Sequence, residues 1–135
     1  MDSFFDGCKE LKTIHFKENV EKIGYHTFQG CNIEYLRIDG HINRIFEDDF
    51  TCYGGLPTII IEFNGGIGWL GCTFNGCKNL EKILFMGEYE RFEKEEMKMF
   101  EKCDKLACIA IRKKYYDFFI NQIHESKRNL VKIID

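Results

Sequence analysis

No apolar run in this sequence approaches the roughly 18–20 residues that a membrane-spanning helix needs. The first residues, MDSFFDGCKE, lack a basic stretch followed by an apolar core. Neither membrane insertion nor a cleaved signal peptide is therefore expected. An excess of charge of one sign is missing too. The 135 residues carry a net charge of −3, so nothing pulls the chain towards nucleic acid or an anionic membrane. Proline occurs once, at Pro57, and the seven cysteines are read as offering no converging C-x2–4-C cluster of the kind that builds a zinc site. No metal is expected.

Other motifs are absent in instructive ways. The glycine-rich FNGGIGWLGC lacks the Lys-Ser/Thr ending of a phosphate loop and reads as a turn between strands. The group FEDD at 46–49 lacks the alternating oxygen ligands of a calcium loop and reads as a solvated turn. His15, His26, His41 and His124 are scattered. No serine or cysteine stands with a histidine and a carboxylate in a recognisable nucleophile motif, so neither enzymatic activity nor a cofactor is expected.

What is present is a folded chain, 44% hydrophobic and 30% charged, that repeats itself. FDGCKELKTI starts at Phe5 and FNGCKNLEKI at Phe74, 69 residues apart (74 − 5). With phenylalanine as anchor, copies begin at Phe5, Phe28, Phe50, Phe74 and Phe100, in steps of 23, 22, 24 and 26 residues. Interior positions keep step as well. Leu11, Ile14, Phe16, Val20 and Ile23 follow Phe5 at the offsets at which Leu80, Ile83, Phe85, Tyr89 and Phe92 follow Phe74. Leu106, Ile109, Ile111, Tyr115 and Phe118 follow Phe100 at those offsets too. The second copy, one residue shorter after Cys31, gives Ile33, Leu36, Ile38, Ile42 and Ile45. The third gives Leu56, Ile59 and Ile61, then drifts through the glycine stretch.

A unit of some 23 residues cannot bury its own apolar face. Stacked units can, because like side chains then lie on like side chains in a continuous core. The segment L-x-x-I-x-I ends in a period-2 alternation, a short strand, so the array predicts one parallel strand per repeat. Cys8, Cys31, Cys77 and Cys103 each follow an anchor by three residues and are expected as a column of buried thiols. Disulfides between neighbouring repeats would require an oxidising compartment.

The pattern L-x-x-I-x-[IF], V-x-x-I-G, F-x-G-C, most complete in LKTIHFKENVEKIGYHTFQGC from Leu11 to Cys31, resembles the BspA-like class of leucine-rich repeats. The resemblance extends from Phe5 to about Phe118 and departs from the class in lacking a proline after the strand. It implies an α/β repeat fold: a right-handed, curved leucine-rich-repeat solenoid with short parallel strands lining one face. It also implies protein–protein recognition, in some members adhesion at a cell surface.

The whole of 1–135 is read as a single repeat domain with a C-terminal cap over 113–135. There Tyr116, Phe119, Ile120 and Ile123 share one helical face and NLVKIID follows as a last strand. The run ERFEKEEMKMFEK from residue 90 reads as a short surface helix. The N-terminus enters directly at its anchor. The chain is thus expected to be a fragment of a longer repeat protein, and a bare N-terminal edge would let it pair with itself.

Strand alternation turns one residue of each L-x-x-I-x-I outward between the two isoleucines. Those positions are His15, Arg37, Ile60, Leu84 and Ala110. Two residues earlier stand Thr13, Tyr35, Thr58, Lys82 and Cys108, and two later stand Lys17, Asp39, Glu62, Met86 and Arg112. The candidate partner-binding set is Thr13, His15, Tyr35, Arg37, Thr58, Ile60, Lys82, Leu84 and Ala110. It is polar and aromatic in the first two repeats and centred on apolar side chains in the last three. The expected function is a non-enzymatic protein-interaction module. The alternative is a spacer within a larger cell-surface protein.

Overall fold

The computed structural model describes residues 9–23, 31–45, 58–69, 74, 77–88, 100, 102–121 and 123–135. The anchors Phe5, Phe28 and Phe50, residues Cys8, Cys52 and Cys72, the FEDD group and the run at 90–99 lie outside these residues, as does Leu56.

Strands β1 (Thr13–Phe16), β3 (Tyr35–Ile38), β5 (Ile60–Phe63), β7 (Lys82–Phe85), β8 (Cys108–Ile111) and β9 (Val131–Ile133) form one parallel sheet in that order. β2 (Val20–Ile23), β4 (Ile42–Ile45) and β6 (Ile67–Trp69) form a second parallel sheet. Each rung therefore pairs with the rung before and the rung after it, and the chain coils forward one repeat at a time. The expected strand at L-x-x-I-x-I forms in every repeat.

Register shows what stacks on what. Ile14, Leu36, Ile61, Ile83, Ile109 and Val131 are successive partners and all are buried. Phe16, Ile38, Phe63, Phe85 and Ile111 make the next column inward-facing in the same way. Within it the Phe63 and Phe85 rings lie stacked with centroids 5.7 Å apart. The anchors Phe74 and Phe100 stack likewise at 5.8 Å. Like residues meet like residues because the repeat length brings them to one height, and aromatic pairs add to the area they bury. Cys31, Cys77 and Cys103 are buried thiols, as the cysteine column requires. The thiol of Cys103 donates to the Phe74 carbonyl at 3.0 Å.

The third repeat corrects the expected phase. Ile61 and Phe63, not Ile59 and Ile61, are the inward pair, since Leu36 pairs with Ile61 and Ile38 with Phe63. The slip is two residues. An alternating strand shifted by two keeps the same sides facing in and out, so TIIIEF satisfies either phase. The glycine stretch is also more than a turn. Ile67–Trp69 is β6, with Ile67 paired to Ile42 and almost fully buried.

The turns between the two sheets stack backbone on backbone. A Cβ on Gly65 would lie 2.2 Å from the Gly40 carbonyl oxygen, and one on Gly87 would lie 1.9 Å from that of Gly65. Only glycine allows that approach. Lys102 has the converse problem. It stands in FEKC where other copies have glycine, as FDGC, FQGC and FNGC, and holds φ = 63°. That left-handed conformation is costly for a residue with a side chain.

Beyond β8 the period changes from strand to helix. The α-helix α1 (Lys113–Ile120) and a 3-10 helix (Glu125–Leu130) lead to β9, which pairs with β8 as a sixth rung. Phe119 is buried and Tyr116 and Ile120 pack partly against the core, as the helical face requires, whereas Ile123, expected on that face, is buried past the end of the helix. Phe118 was phased as a core position by its offset from Phe100, but it is 49% exposed. A helix turns about 100° per residue and carries it out to solvent. Among the described residues no helix is long and apolar enough to cross a membrane.

Candidate functional site

The outward positions of the six-stranded sheet form three columns, fixed by the same register. The middle column runs His15, Arg37, Glu62, Leu84, Ala110, Lys132. The column before it runs Thr13, Tyr35, Ile60, Lys82, Cys108. The column after it lies one residue past the strands, where backbone bonds from Asp39 to Phe16, Asn64 to Ile38, Met86 to Phe63 and Ile134 to Ile111 continue the ladder.

Thr13, His15, Tyr35, Arg37, Lys82 and Leu84 stand where the repeat pattern put them. Two expected members do not. Thr58 faces the core, three residues before Ile61, where the other repeats place Ile33, Leu80 and Leu106. It is 1% exposed, and its hydroxyl has no hydrogen-bond partner among the described residues. Ile60 moves from the middle column to the one before it, between Tyr35 and Lys82. Glu62 takes its place in the middle column and Asn64 takes the place expected for Glu62. The cause is the two-residue slip of the third repeat. Ala110 keeps its column but is only 3% exposed, so it forms the floor between Leu84 and Lys132 rather than a contact of its own.

The slip creates a polar network that the sequence alone did not show. Asp39 accepts from Arg37 Nε at 2.8 Å and from Asn64 Nδ2 at 2.7 Å, and its other oxygen lies 2.5 Å from His15 Nε2. These bonds, first that of Arg37, then those of Asn64 and His15, hold the Asp39 carboxyl well below the usual carboxylate range. The Tyr35 hydroxyl donates to Glu62, and that bond pushes the phenol above its ordinary value. All of these side chains keep some exposure, so their pairing contributes little to stability. It does fix their positions: on three neighbouring rungs the outward carboxylates Asp39 and Glu62 each have donors, while Lys17, one residue past β1, has no ion-pair partner among the described residues.

The other three rungs differ. Leu84 is half-buried beside the floor of Ala110, and Met86, one column on, is 38% exposed. Lys82, Arg112 and Lys132 stand on the outward positions of β7, β8, β9 and the residues just past them, and no carboxylate does. Arg112 is engaged, donating to Glu88 at 2.8 Å and lying 3.6 Å from Asp135. Glu88 also takes Lys114 at 2.5 Å and the Tyr115 hydroxyl, and these contacts lower its carboxyl to about 2. That cluster ties α1 to the turn after β7. Lys82 and Lys132 have no ion-pair partner among the described residues.

Among the described residues no three His, Cys, Asp or Glu side chains converge so as to hold a metal ion. The sequence does hold C-x4-C spacings, Cys72–Cys77 and Cys103–Cys108, against the reading above; Cys72 lies outside the described residues, and of the second pair one thiol is buried in the core and the other half-exposed at the start of β8.

The family model for the BspA type leucine-rich repeat region matches in 6 copies, over residues 1–107 and 70–133. Six copies agree with the six rungs of the main sheet and exceed by one the five phased on phenylalanine. No curated protein and no solved structure matches the chain.

Proposed function

The chain belongs to the BspA-type leucine-rich-repeat family, and from that membership we propose a non-enzymatic module for recognition or adhesion that binds another protein through the outward face of its six-stranded sheet. One observation carries the reading. Six rungs hold their outward side chains in three straight columns at a fixed spacing of about 4.8 Å between strands. A rigid, open, regularly spaced face suits an extended or flat macromolecular partner, and binding there costs little ordering of the module itself. The family is one of repeat proteins, generally without enzymatic activity, which supports the same reading.

The test is binding with and without Leu84→Glu. Leu84 lies at the centre of the apolar half and is not a core residue, so the variant should fold as the parent does. A partner captured from cell lysate or from extracellular matrix proteins should be lost on Leu84→Glu, with the melting temperature unchanged. A captured partner retained by the variant at full affinity would move the interaction off this face and favour a spacer role for the sheet.

A further inference from the structure

We infer that the partner presents an extended acidic segment with an aliphatic side chain between its carboxylates, seated on the last three rungs; this rests on the strand face being the interaction surface.

The outward face is divided by charge satisfaction. In the first three rungs each carboxylate has its donors: Asp39 is held by Arg37, Asn64 and His15, and Glu62 by Tyr35. A partner docking there would have to displace bonds already made. In the last three rungs the outward positions carry cations and no anion, within a chain whose net charge is −3. The local sign is therefore opposite to the global one. Lys82 and Lys132 have no ion-pair partner among the described residues, so charge there awaits an external anion.

Spacing narrows the chemistry. Lys82 lies on β7 and Lys132 on β9, two rungs apart and one column over, which is about 12 Å on the diagonal. Side chains of an extended peptide alternate, so those on one face recur every second residue, and two of them four residues apart span about 13 Å. Leu84, half-buried, shares β7 with Lys82 and adjoins Ala110 in the column that ends at Lys132, so the two offer an apolar seat beside the line joining the lysines. An acid–spacer–aliphatic–spacer–acid segment laid along that line meets both lysines and the seat with the side chains of one face. A nucleic acid backbone would meet the lysines but leave Leu84 against phosphates. The combination therefore favours a peptide.

The experiment uses the full chain and three labelled short peptides with the cores Asp-Gly-Leu-Gly-Asp, Asp-Gly-Ser-Gly-Asp and Lys-Gly-Leu-Gly-Lys, read by fluorescence anisotropy. The parent should prefer the first over each of the others by roughly ten-fold or more. The double variant Lys82→Glu, Lys132→Glu should invert the charge preference, binding Lys-Gly-Leu-Gly-Lys instead. That inversion also shows that the variant is folded. The milder pair Lys82→Gln, Lys132→Gln should lose binding without inversion. Equal binding of the leucine and serine peptides, or equal competition by a DNA oligonucleotide, would overturn the inference in favour of a generic polyanion site. Selection from a displayed peptide library separates the two levels. Binders without acidic residues that are still lost on Leu84→Glu would overturn the acidic partner and leave the face standing. Binders indifferent to Leu84→Glu would overturn both.

Discussion

Replacing Lys102 by glycine should stabilise the protein. Lys102 is an exposed residue at φ = 63°, in the place that the other F-x-G-C copies give to glycine. A left-handed conformation costs an L-residue about 1–2 kcal/mol. Glycine removes that cost but loses about 0.4–1 kcal/mol through the greater freedom of the unfolded chain. At the middle of those ranges the net gain for Lys102→Gly is about 0.8 kcal/mol (their extremes give about 0–1.6), or a rise of about 2–4 °C in melting temperature for a domain of this size. Urea unfolding followed by circular dichroism measures it, and an unchanged m-value shows that the denatured state is the same. Lys102→Ala is the control. It removes the charge and keeps Cβ, so it should melt within about 0.5 kcal/mol of the parent. If Lys102→Gly gave no gain, the backbone would carry no strain there. If Lys102→Ala gave as much, the gain would come from charge and the reasoning would be refuted.

Two further outcomes follow from the same geometry. Thr58→Val removes a buried hydroxyl that has no partner among the described residues and keeps the shape, so it should raise stability by about 1 kcal/mol in the same denaturation assay; a loss would show that the hydroxyl is satisfied in the protein. Glu88 is lowered from 4.5 to about 2 by its contacts with Lys114, Tyr115 and Arg112. A carboxylate depressed on folding stabilises above its unfolded value, and that contribution is lost as pH falls through the folded one. The parent should therefore lose stability between pH about 4.5 and about 2 more steeply than Glu88→Gln, as followed by the urea midpoint across that window. Parallel curves would remove the Glu88 cluster from the account.

Much of the fold could be read from the residues because stacking demands the same apolar side chain at the same offset. Leu36 over Ile14, and Phe100 over Phe74, are consequences of one repeated constraint. The third repeat escaped because TIIIEF offers apolar residues in both candidate phases, and a shift of two preserves the alternation. A different signal would have fixed it. Ile38-Asp39-Gly40-His41-Ile42 and Phe63-Asn64-Gly65-Gly66-Ile67 are the same turn, and Phe85-Met86-Gly87 begins it again. The glycines mark where backbones touch, so they hold register more tightly than isoleucines do. With that phase, Glu62 and Asn64 would have fallen beside Arg37 and Asp39. The bonds among them would still have needed side-chain geometry, which no spacing supplies. Phe118 was misplaced for another reason: the offset rule assumes that a strand continues, and the chain had become helical.

The distances along the chain between corresponding residues have one further meaning. From Ile14 to Val20, Leu36 to Ile42 and Ile61 to Ile67 the interval is always six (20 − 14, 42 − 36, 67 − 61). From one rung to the next it is 22, 25, 22, 26 and 22 (36 − 14, 61 − 36, 83 − 61, 109 − 83, 131 − 109). Over the first three rungs, then, the strand-to-strand step is constant and the variation lies after it. The array thus counts in turns rather than in residues. Insertions there lengthen the gene without moving the graduations of the ruler. Repeats of unequal length can then be exchanged, duplicated or deleted while the outward columns stay aligned.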